Sequence, residues 1–303
     1  MDGIINIYKE KGFTSHDVVA VVRKILNQKK VGHTGTLDPD AEGVLPICVG
    51  KGTKLADYIM VGQKQYLAEM ALGVTTTTED SSGDVLEVKN VDFNEEKIAN
   101  AIKSFVGEIE QIPPMYSAVK INGKKLYELA REGKEIERKS RRVTISDIEI
   151  KEFLPPNKVK VLITCSKGTY VRTLLKDIGE TLGCGAHMSY LLRTKSGAFE
   201  VDNAITLDKL KEVFTSVEFE NFILPVSEAL KDYNKVYVSE KADKLIHNGC
   251  KIYKEYIEKS DYEYSYGDTV IAFDSKELLV GIFTVKKDEE NNGLYIRPIK
   301  ILL

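Results

Sequence analysis

The amino-acid sequence predicts an α+β fold in which a large domain built on a mixed sheet precedes a small β-rich module. Strand-like and helix-like segments follow one another without the regular β-α-β spacing of a parallel α/β protein. The chain has 303 residues, of which 43% are hydrophobic, enough to bury a large core and to form two domains. Because the chain becomes irregular before Tyr233 and strand-like after it, we predict domains at residues 1–232 and 233–303.

The first predicted helix extends from about His16 to Gln28. Thr14 and Ser15 precede it as candidate N-caps. Its apolar residues recur at helical spacing, at Val18, Val21, Val22 and Ile25. This helix leads the chain into a glycine-rich loop.

A strand, a loop and a second helix are predicted next. Residues Lys64 to Leu72 have an extended pattern, and the Gly-, Thr- and Ser-rich residues 73–83 predict a turn or loop before a strand at 84–88. Asn94 then caps an amphipathic helix that ends at Gly107. Its apolar stripe consists of Ile98, Ala101, Ile102 and Phe105.

The rest of the chain contains further helices and strands. Apolar and polar residues alternate at 158–164, and helices are predicted at 171–182 and 207–214. In the small module, Ser239 caps a short helix that Gly249 closes. Strands are predicted there at Thr269–Phe273, Leu278–Val285 and Tyr295–Ile301.

Charge is distributed unevenly along the chain. The net charge is −3, yet residues 112–195 contain 17 Lys and Arg against 9 Asp and Glu, a local charge of +8. Clustered cations of this kind can bind a polyanion although the whole protein is acidic. The run Arg138–Arg142 is also compatible with a solvated strand edge.

Composition excludes several classes of protein. No apolar run approaches the length that spans a bilayer, and the N-terminal residues 1–6 lack the sections of a signal peptide, so we expect a cytoplasmic protein. The four cysteines are widely spaced and predict neither a disulfide framework nor a zinc site. With only four histidines in addition, we expect no metal site.

The most distinctive residue is Asp38, which lies in a glycine-rich loop. Pro39 disfavours helical geometry at Asp38, and Gly32, Gly35 and Gly43 permit tight turns and close approach of a ligand to the main chain. A carboxylate fixed in this way can act as nucleophile or base. The Asp-Pro pair alone is equally typical of an ordinary turn.

The longer segment decides between these interpretations. Residues 32–50, GHTGTLDPDAEGVLPICVG, closely resemble the catalytic-aspartate motif of the TruB family of tRNA pseudouridine synthases. The resemblance implies that Asp38 is the catalytic aspartate and that uridine 55 of the tRNA T-loop becomes pseudouridine. It also implies base flipping and catalysis without cofactor or metal. Whether Asp38 attacks the sugar, attacks the base or removes a ribose proton stays open.

Two further segments imply residues that contact the uracil. Tyr66 falls where the family places its active-site tyrosine, which stacks on the flipped base. Residues 167–174, KGTYVRTL, resemble a second motif, in which Tyr170 would pack on the base and Arg172 would pair with Asp38. An arginine in that place favours the ionised carboxylate and can hold it bidentately.

Four more residues are assigned to the site by the same resemblance. The segment that begins at Leu191 resembles a third motif, in which Leu191 helps to enclose the base and Arg193 supplies a cation near the pocket. Lys9 matches the first motif and is a candidate for substrate binding. His33 is expected to contact the RNA and to fill the space that the flipped nucleotide leaves.

Residues 111–120 and 122–133 resemble the element with which the family grips the T-arm of tRNA. They belong to a predicted insertion at about residues 107–142 and begin the basic section. We therefore expect the T-arm stem-loop as the partner and a monomeric protein. The candidate RNA-binding residues are Lys120, Lys124, Lys125, Arg141, Arg142 and Arg193.

The small module resembles a PUA domain, an RNA-binding β-barrel. The resemblance rests on Ile246–Gly249, Gly267–Val270, Val280–Phe283 and Arg297–Ile301. The expected architecture is thus a mixed-sheet pseudouridine synthase domain followed by a small PUA-like barrel.

Two other functions remain compatible with the sequence. One is the related RNA-guided synthase, which shares the aspartate loop but works inside a ribonucleoprotein. The other is an RNA-binding protein that folds tRNA without chemistry. A zinc nucleobase deaminase is disfavoured because the H-x-E and P-C-x-x-C motifs are missing, and a methyltransferase because there is no G-x-G-x-x-G turn.

Overall fold

The structure, a computed structural model, describes residues 1–121, 123–289 and 293–302. Asn122, which begins one of the predicted tRNA-gripping segments, lies outside the described residues. The α-helices are α1 (Ser15–Leu26), α2 (Ala56–Ile59), α3 (Glu95–Lys103), α4 (Leu126–Arg131), α5 (Val171–Thr181), α6 (Leu207–Val213), α7 (Val226–Ala229) and α8 (Asp243–His247). Short 3-10 helices lie at Gly50–Leu55, Val201–Asn203, Val217–Phe222, Glu240–Ala242 and Lys254–Tyr256. None of the described helices is long and apolar enough to cross a membrane.

The described strands are numbered β1 to β20 in chain order. The first ten are β1 (Gly3–Lys9), β2 (Val31–His33), β3 (Glu42–Val49), β4 (Lys64–Leu72), β5 (Val74–Thr76), β6 (Val85–Val88), β7 (Gly107–Gln111), β8 (Lys120–Ile121), β9 (Lys124–Lys125) and β10 (Arg141–Leu154). The others are β11 (Lys158–Cys165), β12 (Ala186–Ser196), β13 (Phe199–Glu200), β14 (Ile223–Leu224), β15 (Asn234–Val238), β16 (Ile252–Tyr253), β17 (Ile257–Ser260), β18 (Thr269–Phe273), β19 (Leu279–Lys287) and β20 (Leu294–Ile301).

The described strands form two main sheets and two small hairpins. The larger sheet has the order β14-β1-β3-β12-β4-β11-β10-β7, with β2 on β3 and β13 on β12. It is mixed, because β3 and β12 are parallel whereas β4 is antiparallel to both of its neighbours. The smaller sheet, β16-β20-β19-β18-β15-β17, is nearly closed and barrel-like. The predicted α+β class with a C-terminal β-barrel module is confirmed.

Helix α1 begins where its capping residues predict. Thr14 Oγ1 accepts the Asp17 N–H at 3.1 Å, and the Asp17 carboxylate accepts the Thr14 N–H at 2.8 Å, which completes a capping box. The helix ends at Leu26, two residues before the predicted end, because Asn27 adopts a left-handed φ of 47°. Its apolar face packs on β1 and β3 in a cluster that includes Val18 and Val22.

Strand β4 has the predicted bounds and lies between β11 and β12. Lys64 and Tyr66 point to the same face, because side chains two residues apart on a strand share a face. Across the sheet, Tyr66 is opposite Ile163 on one side and Arg193 on the other. The predicted elements corresponding to α3, β11, α5, α6, β18, β19 and β20 are confirmed within a few residues.

The prediction of a turn or loop for residues 73–83 was wrong in part. Val74–Thr76 forms β5, which pairs with β6 in a hairpin. The β-branched residues of this run favour extended geometry, and they outweigh the glycine before them. The turn that remains carries Asp80, whose Oδ1 accepts the Ser82 N–H at 3.0 Å and whose side chain lies largely inside the protein.

The small module has its own core and shares a second one with the larger sheet. The shared cluster includes Ile4, Cys48 and Leu55 on one side and Ile271, Phe273 and Ile282 on the other. The Tyr233 hydroxyl also donates to the Tyr58 carbonyl at 3.1 Å. Ser239 precedes the module's short helix as predicted, but its side chain makes no capping hydrogen bond. The domain boundary at residue 232 stays a prediction.

Candidate active site

Asp38 lies in the loop between β2 and β3, and neighbouring groups hold its backbone. The Leu37 N–H donates to Ser15 Oγ at 2.9 Å, and Ser15 Oγ donates to the Leu37 carbonyl at 3.2 Å. On the other side, the Pro39 carbonyl accepts the Gly12 N–H at 2.9 Å and Lys9 Nζ at 3.1 Å. Both residues that flank Asp38 are therefore fixed, which limits the directions in which its carboxylate can point.

Two glycines of the loop have positions that other residues would fill poorly. Gly43 has a φ of +103°, and a Cβ there would collide with the Arg193 carbonyl oxygen. Gly35 has a φ of +138°, and a Cβ there would contact Lys64 and Arg193. Positive φ is readily available only to glycine. The glycines thus let the loop bend and let β3 approach β12.

Arg172 joins the loop to two distant parts of the chain. Its Nη2 lies 3.3 Å from Asp38 Oδ2 and donates to the Tyr116 carbonyl at 2.6 Å, while its Nη1 lies 3.4 Å from Asp80 Oδ2. The side chain is only 6% exposed. The structure therefore brings Asp38 and Arg172 together, but the arginine bridges two carboxylates and does not hold Asp38 bidentately as expected.

Sequence reasoning missed Asp80 and the Tyr116 carbonyl. Asp80 also accepts hydrogen bonds from Thr78 Oγ1 at 2.6 Å and from Ser82 Oγ. In the sequence, these three residues are typical of an ordinary polar turn. The only signal was indirect: a buried guanidinium has five N–H groups, so an arginine paired with Asp38 needs further acceptors. The sequence did not indicate which residues would supply them.

Burial raises the pKa of Asp38 above its ordinary value. The positive charges of Arg172 and Lys9 oppose the rise, whereas the negative charge of Asp80 adds to it. The expectation that Arg172 favours the ionised form has the right sign, but desolvation outweighs it. The Asp38 side chain nevertheless keeps 37% of its surface exposed, so its carboxylate can be reached from solvent.

Tyr66 and Leu191 lie close to the aspartate loop. Both are 7% exposed and belong to one buried cluster that also contains Leu37 and Ala41, the residues on either side of the Asp38 turn. Leu191 is opposite Ala68 on β4. The structure therefore places both predicted pocket residues in the apolar cluster that also holds the aspartate loop.

Arg193 is buried and is a correction to its predicted place on an RNA-binding surface. It is only 1% exposed, and it donates to the Val44 carbonyl at 2.7 Å and the Gly35 carbonyl at 3.3 Å. Burial also raises the pKa of Tyr66, and the charge of Arg193 opposes this rise. A side chain that is almost completely buried cannot contact RNA directly. Arg193 instead supports the aspartate loop through its hydrogen bonds to the Val44 and Gly35 carbonyls.

Tyr170 is the N-cap residue of α5, and a buried glutamine holds its backbone. Gln111 Oε1 accepts the Tyr170 N–H at 2.8 Å, and Gln111 Nε2 donates to the Tyr170 carbonyl at 3.0 Å. The guanidinium of Arg141 lies 4.8 Å from the centre of the Tyr170 ring, and that of Arg172 lies 5.9 Å away. Tyr170 is thus close to Arg172, and Arg141 covers part of its ring.

Lys9 and His33 lie next to the loop, and both side chains form hydrogen bonds with main-chain groups of the protein. Lys9 is 0% exposed, and its Nζ also donates to the Glu10 and Phe13 carbonyls at 3.1 and 2.7 Å. Burial lowers the pKa of Lys9 to about 8. Its three N–H groups reach three carbonyls, so Lys9 supports the loop, and its contact with substrate stays a prediction.

His33 accepts the Gly35 N–H at Nδ1, at 3.2 Å, and its ring lies edge-on to that of His16. Burial lowers the pKa of His33, which favours the neutral ring. A neutral, half-buried ring is compatible with packing against RNA.

The remaining predicted RNA-binding cations belong to the insertion. Lys120 and Lys124 are exposed on the β8–β9 hairpin, and Lys125 Nζ lies 5.3 Å from the centre of the Tyr127 ring. Arg142 is exposed, whereas Arg141 is half-buried and its Nε and Nη2 atoms have no hydrogen-bond partner. The structure does not bring these hairpin lysines into the buried group around Asp38.

Comparison with solved structures defines the fold class of the chain. It superposes on the structure of a Cbf5-Nop10-Gar1 complex with a TM-score of 0.80 and 32% identity, over 99% of this chain and 85% of the other. For an H/ACA RNP bound to a substrate RNA containing 2'-deoxyuridine, the TM-score is 0.78 and the identity 29%, with the same coverage. The fold is that of a pseudouridine synthase.

Sequence comparison identifies the family. Residues 23–171 match the model of the N-terminal domain of TruB family pseudouridylate synthases, and residues 172–231 match the tRNA pseudouridylate synthase B C-terminal domain. Proteins named tRNA pseudouridine synthase B are 50% identical in Alkaliphilus oremlandii, over 100% of this chain and 99% of the relative, and 43% identical in Staphylococcus aureus, over 99% of each. The chain belongs to the TruB family.

Proposed function

We propose that this protein is a stand-alone tRNA pseudouridine synthase that isomerises uridine 55 in the T-loop, with Asp38 as the catalytic carboxylate. The observation that carries the proposal is the pair of Asp38 and Arg172, 3.3 Å apart beside an apolar wall. Relatives that are 43–50% identical over nearly the whole chain and carry the name tRNA pseudouridine synthase B support the choice of tRNA.

The reaction makes three demands that these residues can meet. The bond from N1 to the ribose must break, the uracil must turn, and a bond from C5 to the ribose must form while C5 loses its proton and N1 gains one. Asp38 supplies a carboxylate at the reacting atoms, and Arg172 aims it. Tyr66 and Leu191 form an apolar wall that keeps the detached uracil in place, and Tyr170 packs on the base.

The protein is proposed to act as a monomer that binds the tRNA through several parts of its chain. The insertion at about residues 107–142 grips the T-arm through Lys120, Lys124, Lys125 and Arg142, while Arg141 lies nearer the pocket. The C-terminal module, residues 233–303, contacts the RNA as a PUA-like domain, and His33 packs against the loop from which the uridine is extruded.

The test uses purified protein and an unmodified tRNA transcript, with pseudouridine mapped by position. Asp38→Asn should abolish the product while retaining tRNA binding, because it removes the charge and little of the shape. Asp40→Asn is the matched control, since Asp40 is exposed in the same loop and should leave the rate within about twofold. Full product formation by Asp38→Asn, or a modified position other than 55, would contradict the proposal.

An RNA-guided synthase is the second candidate, because the solved structures similar to this chain include an H/ACA RNP and a Cbf5-Nop10-Gar1 complex. Product formation on bare tRNA, without guide RNA or other proteins, separates the two candidates. A tRNA-folding protein without chemistry predicts no pseudouridine in the same assay.

A further inference from the structure

Lys64 is a buried cation that the proposed chemistry leaves unused. It is the first residue of β4 and is only 8% exposed. Among the described residues, its ammonium group makes no hydrogen bond or ion pair, and no carboxylate is among the groups that influence its charge. A buried charge normally has a partner, because removing it from water costs several kcal/mol. Among the described residues, Lys64 therefore has no anionic partner to offset the burial of its charge.

The charged neighbours of Lys64 are positive. Arg193 and Lys167 both disfavour its protonation, and together with burial they lower the pKa of Lys64 to about 8. Its Nζ atom lies under the aspartate loop, 3.8 Å from the position that a Cβ of Gly35 would occupy. Arg193 is already engaged by the Val44 and Gly35 carbonyls, whereas Lys167 is exposed on the loop before Tyr170. A group of cations without a carboxylate suits an anionic ligand.

The position of Lys64 relative to Tyr66 suggests which anion this is. Two residues along a strand span about 7 Å, and both side chains stand on the same face. If the uracil packs on Tyr66, the sugar-phosphate part of the same nucleotide extends along this face. We propose that Lys64 binds a phosphodiester group next to the extruded uridine, an inference that rests on the proposed function.

The first test measures affinity and its salt dependence for Lys64→Met, in the Asp38→Asn background so that no chemistry occurs. We expect about a tenfold weaker Kd for tRNA and a slope of log K against log salt reduced by about one, as for one lost phosphate contact. Lys64→Arg should keep the slope. Lys209→Met is the control, because Lys209 is exposed on α6 and pairs with Glu212.

Thermal unfolding of the free protein separates binding from a structural role. If Lys64 serves RNA, Lys64→Met removes a costly unpaired charge and leaves the melting temperature unchanged or higher. A lower melting temperature combined with normal affinity would overturn the proposal. Normal affinity and salt slope, with slower single-turnover product formation when Lys64→Met is made in the protein that retains Asp38, would also overturn it, because Lys64 would then act on the uracil.

A double-mutant cycle tests the ligand itself. The RNA is a T-arm stem-loop with a neutral methylphosphonate at one of the two linkages that flank the target uridine. At the linkage that Lys64 contacts, wild-type protein should lose about tenfold in affinity and Lys64→Met should lose little more. Additive losses at both linkages would show that Lys64 binds neither. The affinity measurements on the variants and on the methylphosphonate RNAs depend on binding alone. An absence of pseudouridine would therefore count against the proposed function and not against the binding of a phosphodiester by Lys64.

Discussion

At the scale of single residues, the site is organised by one arginine between two carboxylates. Asp38 and Asp80 lie 3.3 and 3.4 Å from different nitrogens of Arg172, and the negative charge of Asp80 disfavours ionisation of Asp38. Asp38 is thus subject to two opposing influences, from Arg172 and from burial together with Asp80. Its protonation becomes sensitive to groups that never touch the substrate.

The raised pKa of Asp38 predicts the pH dependence of catalysis. In the proposed function ionised Asp38 is the active form, so the rate should fall as the pH decreases through a pKa above the ordinary value of about 3.9. Asp80→Asn removes a negative charge near Asp38 and lets the charge of Arg172 act mainly on Asp38. The pKa of Asp38 should therefore fall, and the acidic limb of the pH–rate profile should move to lower pH whether or not the maximal rate changes. Single-turnover rates against pH measure both. An unchanged or higher limb in the variant would disprove the assignment.

Two lysines and an arginine show what motif resemblance can assign at this scale and what it cannot. Resemblance placed Lys9 and Arg193 at the site, and both are there, but each donates to carbonyls of the aspartate loop. Lys64 was not selected, although it stands two residues before Tyr66. A sequence identifies charged residues near a motif, whereas the direction of each side chain depends on packing between strands distant in the chain.

At the scale of elements, predictions succeeded where the local pattern and the tertiary contacts agree. Strand β4 alternates between buried and half-buried residues from Lys64 to Met70 and has the predicted bounds, and α1 carries a complete capping box. Strand β5 was missed because the Gly-, Thr- and Ser-rich run in which it lies resembles a loop, while its pairing with β6 depends on residues 9 to 14 positions away. The contact of Tyr116 with Arg172 uses a main-chain carbonyl, which leaves no signal in the side-chain sequence.

The link between β7 and α5 gives a prediction about Gln111. This residue is 0% exposed, and its amide bonds both the N–H and the carbonyl of Tyr170, two residues before Arg172. Gln111→Leu leaves these groups unpaired at a cost of about 1–3 kcal/mol and loosens the start of α5. We expect about a tenfold lower single-turnover rate at saturating tRNA and an acidic limb at higher pH, because Arg172 then stabilises ionised Asp38 less.

Glu110→Gln is the matched control for this prediction, since Glu110 is the exposed neighbour on the same strand. Gln111→Glu can still accept the Tyr170 N–H and should retain more activity than Gln111→Leu. A Gln111→Leu variant with a normal rate and an unshifted limb would remove Gln111 from the positioning of Arg172.

The β8–β9 hairpin gives a prediction about RNA affinity. Lys124 and Lys125 are adjacent on this hairpin, and Lys124 lies 3.8 Å from Glu132, so it is only weakly paired. Replacing both by alanine should lower tRNA affinity and reduce the salt slope by up to about two, because two phosphate contacts are lost. Filter binding at several salt concentrations measures this. An unchanged slope would place both lysines outside the contact surface.

At the scale of the whole molecule, composition and motifs predicted the architecture but not the way its parts join. The mixed sheet, the small β-rich module and the basic section follow from patterns along the chain, whereas the resemblance to known families implied the barrel and the insertion. The cluster that joins the barrel to the larger sheet combines Ile4, Cys48 and Leu55 with residues more than 200 positions away. Apolar residues in strands predict burial, but they do not show which sheet they will be buried against.

This shared cluster predicts that the barrel stabilises the larger sheet. Phe273 belongs to it, whereas Phe283 belongs to the barrel's own core. Both Phe→Ala changes should lower the stability of the barrel by about 3–5 kcal/mol, but only Phe273→Ala removes contacts with β1 and β3. Hydrogen exchange should therefore accelerate at Ile4 and Cys48 in Phe273→Ala and much less in Phe283→Ala. Equal protection of β1 in both variants would mean that the two sheets are stabilised independently and that the barrel does not stabilise the larger sheet.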